Sequence, residues 1–190
     1  DALVEAARTA TLVVVTSPNN PTGDLFPREG VRRLCEACPG IVLVDEAYIE
    51  FADPGSSVED MLGEYQNLAV LHTFSKAFAL AGARMGYVLA SPAVVAALAA
   101  VRQPYSVSVL DQAAALVAVT HRDAFQPAIH AIRQDRGRLS KMLDVLAPLG
   151  VYVWPSQANF LCVRVPHAHD VWRRLRDERS ILVRDFSFTP

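Results

Sequence analysis

The chain has 190 residues, 52% of them hydrophobic, enough apolar material for the core of one domain or two small ones. A formal charge of −2 leaves no basic stripe for nucleic acid, and the longest clean apolar runs, residues 12–15 and 94–101, fall far short of the roughly 20 residues that span a bilayer. Three cysteines are too few for a disulfide framework, which fits a reducing, cytoplasmic setting.

In chain order, β-branched runs alternate with helical patterns. LVVVT (12–16) is followed by a helix over 28–38, then IVLVD (41–45), LAVLHT (68–73) and YVLA (87–90). These runs are apolar throughout, which predicts an α/β fold: a mostly parallel sheet with helices on both faces. Cys35 and Cys38 form one CxxC inside the first helix, with no second pair and no histidine pair nearby, so helical packing explains them. The five histidines show no metal-ligand spacing, and no metal is expected. Helical patterns over 92–101 and 109–146, the latter broken near His121 and Pro127, lead into a smaller α+β unit. That unit comprises strands over 151–155 and 159–165, a helix over 169–178 and a strand at ILVRD (181–185). Pro104 and the serines around it place a boundary near Val107, dividing the chain into 1–106 and 107–190.

Three of the strands end in chemically loaded loops: SPNNPTG, DEAY and TFSK. Ligands of open α/β sheets bind beyond the carboxyl ends of the strands, so Asn20, Asp45 and Lys76 are predicted to converge there. Asp45 closes an apolar strand where a carboxylate needs a cationic partner, and Glu46 must point to the opposite face. Tyr48 brings a phenol to the same crevice. Thr73 and Ser75 flank Lys76, and Arg84 follows eight residues after it, so hydroxyls and a guanidinium surround the amine as a phosphate monoester requires. Taken singly, each feature is also explained as a tight turn, a strand-end cap or a solvated lysine. Taken together, an amine to attack an aldehyde, a carboxylate awaiting a cation and a phosphate cradle describe the needs of pyridoxal 5′-phosphate.

SPNNPTG, VDEAYIEF, TFSKAFALAGARMGY, SQANF and ILVRD, in this order, resemble the fold-type I pyridoxal-phosphate aminotransferases, and within them the histidinol-phosphate aminotransferases. The resemblance implies a large-domain portion in 1–106 and most of a small domain in 107–190. It implies transamination of L-histidinol phosphate with 2-oxoglutarate by a cytoplasmic homodimer, with threonine-phosphate decarboxylation or another class II transamination as alternatives. By the same resemblance, Lys76 holds the cofactor and moves a proton, Asp45 meets its ring nitrogen, and Tyr48 and Asn20 meet its phenolic oxygen. Thr73, Ser75 and Arg84 hold its phosphate, while Arg184 and Asn159, with Asn20, face the substrate. Tyr105 is a further candidate for the site wall. Family members carry a helix start, a ring-stacking aromatic and a partner-donated tyrosine before the region matched here, and a substrate-gripping arginine after it. With its first residue an aspartate, the chain therefore reads as an internal piece lacking N-terminal and C-terminal parts of the family pattern. A non-catalytic cofactor-binding fragment is the reading from a different class.

Overall fold

The computed structural model describes residues 2–186. A short helix α1 (Ala2–Ala7) leads into β1 (Leu12–Thr16), α2 (Arg28–Ala37), β2 (Ile41–Asp45), β3 (Leu68–Thr73) and β4 (Gly86–Ala90). The sheet order is β1-β2-β3-β4, with β1, β2 and β3 parallel and β4 antiparallel to β3. The apolar runs therefore mark the strands, while β4 runs against β3 after the 74–85 connection, which holds a 3₁₀ turn and no α-helix.

Register sorts the strand residues onto two faces. Val15, Val42, Val44, Leu68 and Val70 point into a core completed by Ala7, Val31, Leu34, Cys35 and Met61. Both cysteines of the CxxC are buried there, Cys38 with its Sγ 3.4 Å from Ala10 O, and burial pushes the Cys35 thiol up to about 11. They pack as small apolar residues. The opposite face is less covered than a doubly clad sheet requires: Leu12 and Val14 are 54% and 57% exposed. It carries Thr16, Asp45 and Thr73 at the strand ends.

Beyond the sheet come α3 (Pro92–Val101), an irregular stretch in which Tyr105 has φ +62° and is 99% exposed, and α4 (Val109–Thr120). Ser108 caps α4 by accepting from Asp111 N–H at 3.1 Å. A turn over Arg122–Phe125 precedes α5 (Gln126–Asp144), so Pro127 sits in the first turn of a helix rather than breaking one. The later strands are shorter than the sequence predicts, reduced to β5 (Tyr152–Val153) and β6 (Val163–Arg164), an antiparallel pair. Helix α6 (Ala168–Arg179) follows.

ILVRD is not a strand. It is tied to α6 instead, through its backbone by Trp172 Nε1 donating to Val183 O at 3.0 Å and through a side chain by His169 Nδ1 lying 3.0 Å from Asp185 Oδ2. A β-branched run becomes a strand only where a neighbouring strand offers its edge.

Helix α5 clamps the two halves. Arg136 donates to Phe51 O at 3.1 Å and to Ala158 O at 2.6 Å, while Arg133 pairs with Asp53 at 2.7 Å. Gln157 closes the contact, accepting from Asp53 N–H and donating to its carboxylate. Arg136→Ala leaves two carbonyls without their donor and is expected to destabilise the chain by about 2–3 kcal/mol. A thermal melt checks this, and a midpoint equal to that of the parent chain would contradict the clamp.

Candidate active site

The carboxyl ends of β1, β2 and β3 bring the three loops together. After β1, Ser17–Pro18 and Asn20–Pro21 are both cis, and Gly23 turns the chain at φ +83°, where a Cβ would overlap the Ser156 side chain. Gln157 N–H donates to Gly23 O at 2.7 Å, so the loop is held from the second half of the chain. This positions Asn20, whose Nδ2 donates to Tyr48 Oη at 3.0 Å.

Tyr48 is the hub. Phe160 packs edge-on against its ring at 5.1 Å, and Lys76 Nζ lies over the ring 5.3 Å from the centroid. The Lys76 side chain is exposed and Phe74 and Ala77 beside it are buried, so the backbone is anchored while the amine is free to react. Asp45 stands at the end of β2 with Oδ1 accepting from Ala47 N–H at 3.0 Å, a turn-capping bond that leaves Oδ2 for another donor.

Thr73 Oγ1 donates to Met85 O at 3.3 Å and accepts from Ser75 N–H at 3.1 Å, which fixes the turn between β3 and Lys76. Arg84 adopts a left-handed conformation at φ +53° and spends one nitrogen on Ala81 O at 3.0 Å. Thr73, Ser75 and Arg84 line one open recess of about 400 Å³ together with Gly86 and Tyr87. Two hydroxyls and a guanidinium in one recess are groups that an anion could be held by.

Three sequence candidates stand apart: Tyr105, 99% exposed, and the two that follow. Asn159 is exposed, and its link to the hub is its neighbour Phe160. Arg184 lies over the Phe186 ring at 5.6 Å, and no described contact joins it to Lys76. Phe160 itself was visible only as part of SQANF, because an aromatic in a loop gives no periodic signal. Glu46, as alternation requires, faces away from Asp45 and is buried with His72. Burial pushes Glu46 and nearby Glu50 up to about 7 and lowers His72.

An exposed amine beside a phenol, a strand-end carboxylate and a recess lined by hydroxyls and a guanidinium stand together at the carboxyl edge of an α/β sheet. The chain belongs to the class I and II aminotransferases, whose family description it matches over residues 1–189. Among curated relatives, it is 46% identical over 177 residues to the histidinol-phosphate aminotransferase of Rhodococcus jostii, covering 92% of this chain and 45% of that protein. The chain thus spans about half the length of the curated relatives it matches. Among solved structures, the histidinol-phosphate aminotransferase of Sinorhizobium meliloti, determined in complex with pyridoxal 5′-phosphate, superposes with a TM-score of 0.83 at 31% identity, covering 96% of this chain and 51% of that one. The L-threonine-O-3-phosphate decarboxylase of Porphyromonas gingivalis gives 0.81 at 27% identity, covering 93% and 55%. Among the described residues, no helix is long and apolar enough to cross a membrane.

Proposed function

We propose that the protein carrying this chain is a pyridoxal-phosphate-dependent aminotransferase that moves the amino group of L-histidinol phosphate to 2-oxoglutarate, a step of histidine biosynthesis. The observation that carries the reading is the meeting of Asn20, Tyr48 and Lys76 above the ends of the strands, beside the recess of Thr73, Ser75 and Arg84. The donor set suits the cofactor: an exposed primary amine, a phenol, a carboxylate with one oxygen uncommitted and a guanidinium beside hydroxyls. The curated relatives that are histidinol-phosphate aminotransferases support the substrate choice.

When bound, pyridoxal phosphate supplies an aldehyde that captures amines and a ring that takes up the electron pair released at the substrate carbon. Lys76 Nζ would be the group that holds it, and the same amine would serve as base and acid for the substrate carbon's proton. Asp45 presents a carboxylate to the ring N–H and so keeps that nitrogen charged. Tyr48, oriented by Asn20, hydrogen-bonds the phenolic oxygen, while Thr73, Ser75 and Arg84 hold the phosphate. Asn159, Arg184 and Asn20 are assigned to the substrate side. Residues 1–106 form part of the cofactor domain and 107–190 most of the second domain. We assign a cytoplasmic homodimer on two supports: the free cysteines, and the exposed Val109, Leu110, Leu116 and Val117 on α4, an apolar surface suited to a protein contact.

Arg84→Ala is expected to raise the dissociation constant for pyridoxal phosphate roughly 10- to 100-fold, the loss of a charged hydrogen-bond donor to phosphate. A fluorescence titration reads this, and an unchanged constant would remove Arg84 from the phosphate site. The reaction itself is tested by supplying L-histidinol phosphate with 2-oxoglutarate and measuring glutamate. Release of carbon dioxide from threonine phosphate instead would replace transamination by decarboxylation.

A further inference from the structure

The sheet's other face holds a second set of reactive groups. Glu46, at the end of β2, and His72, in β3, are 1% and 2% exposed, and Glu59 reaches them from the single-turn helix over Glu59–Gly63. One donor atom from each residue lies within 4.8 Å of the other two. His72 Nε2 is 2.8 Å from Glu59 Oε1 and 3.5 Å from Glu46 Oε2, close enough for ion pairs but off the direction of a hydrogen bond. Both imidazole nitrogens are buried and neither makes a well-directed hydrogen bond: Nε2 faces only the two carboxylates and Nδ1 has no partner among the described residues, which costs free energy unless something else meets them.

The surroundings deepen the imbalance. Glu50 Oε2 is also buried without a hydrogen bond, and its carboxyl feels both Glu46 and Glu59. Asp45 adds negative charge across the strand, while Tyr87 stacks on the His72 ring at 5.0 Å and brings no cation. Arg28 acts on Glu46, but its guanidinium pairs with Asp60 at 2.6 Å. Carboxylates outnumber the cations that face them.

We propose that Glu46, Glu59 and His72 form a binding site for a divalent transition-metal ion of zinc's kind. An imidazole nitrogen with two carboxylate oxygens is a ligand set such ions take, at about 2.0–2.2 Å from each donor, which sets tetrahedral donors about 3.4 Å apart. The observed 2.8 Å and 3.5 Å bracket that spacing. Ser57 Oγ–H and Val58 N–H each donate to the Glu46 carboxylate at 2.7 Å and fix its orientation, as outer-shell groups of metal sites do. Glu59, with its side chain 47% exposed, supplies both the adjustable ligand and the way in from solvent. A bound dication would link β2, β3 and the 59–63 turn from behind the sheet. His72 and Tyr87 also border the recess of Thr73, Ser75 and Arg84, but alternation turns Glu46 and His72 away from Asp45 and Thr73, so the ion is assigned no part in the chemistry at Lys76.

The test uses the full chain, freed of metal with a chelator and titrated with zinc sulfate by calorimetry, with zinc content measured after dialysis. About one zinc per chain is expected, with affinity at least roughly tenfold weaker in Glu59→Gln and in His72→Gln, and unchanged in Cys35→Ser. Glu59→Gln decides the matter if the buried histidine variant fails to fold, since Glu59 lies at the surface. No saturable binding, or binding that survives Glu59→Gln, overturns the proposal. Neither result depends on pyridoxal phosphate, so it stands or falls apart from the aminotransferase reading.

Discussion

Replacing Lys76 by alanine is expected to lower transamination on the order of 10³-fold or more while leaving the fold intact. The side chain is exposed and its contact is the Tyr48 ring at 5.3 Å, so truncation removes an amine and little packing. The amine is asked to do two things, to act as nucleophile and to carry a proton, and general acid–base transfer alone is worth about 10²–10⁴-fold. Steady-state rates with L-histidinol phosphate and 2-oxoglutarate measure the loss. Partial recovery on adding a small primary amine would distinguish a missing amine from a disturbed site, and a variant retaining a tenth of the parent's rate would sink the assignment.

The second large effect belongs to Asp45. Asp45→Asn keeps an oxygen to accept from Ala47 N–H and keeps the side chain's volume, so the turn is preserved and the charge alone is lost. Removing one partner of a partly buried ion pair costs about 3 kcal/mol, on the order of 10²-fold in rate if the pair persists into the transition state. The cofactor should still attach at Lys76. Turnover within a few-fold of the parent's would show that Asp45 only caps its turn.

The parallel core was legible because a strand buried on one face and half-covered on the other still reads as an unbroken apolar run, as IVLVD and LAVLHT do. Direction was not legible, since nothing in GYVLA states that it runs against β3. ILVRD misled because strand character lies in the partner, and here the segment is taken up by Trp172 and His169 of α6. In the site, the loops at Asn20, Asp45 and Lys76 could be found from turn chemistry at strand ends. The contact of Tyr48 with Phe160 could not, because those residues lie far apart in sequence and meet where α5 and Gln157 hold the two halves together. Glu46, Glu59 and His72 escaped for the same reason: each looks unremarkable alone, with no ligand spacing along the chain, and register and one short helical turn assemble them.

In the proposed reading, residues from three loops form one cofactor site with Lys76 as its attachment point. The most direct test of that reading is to add pyridoxal phosphate to the purified chain, record the visible spectrum, reduce with borohydride and map the modified lysine by peptide mass spectrometry. Selective labelling of Lys76, weakened in Arg84→Ala and absent in Lys76→Ala, is the predicted result. Labelling scattered between Lys76 and Lys141, or none at all, would contradict it.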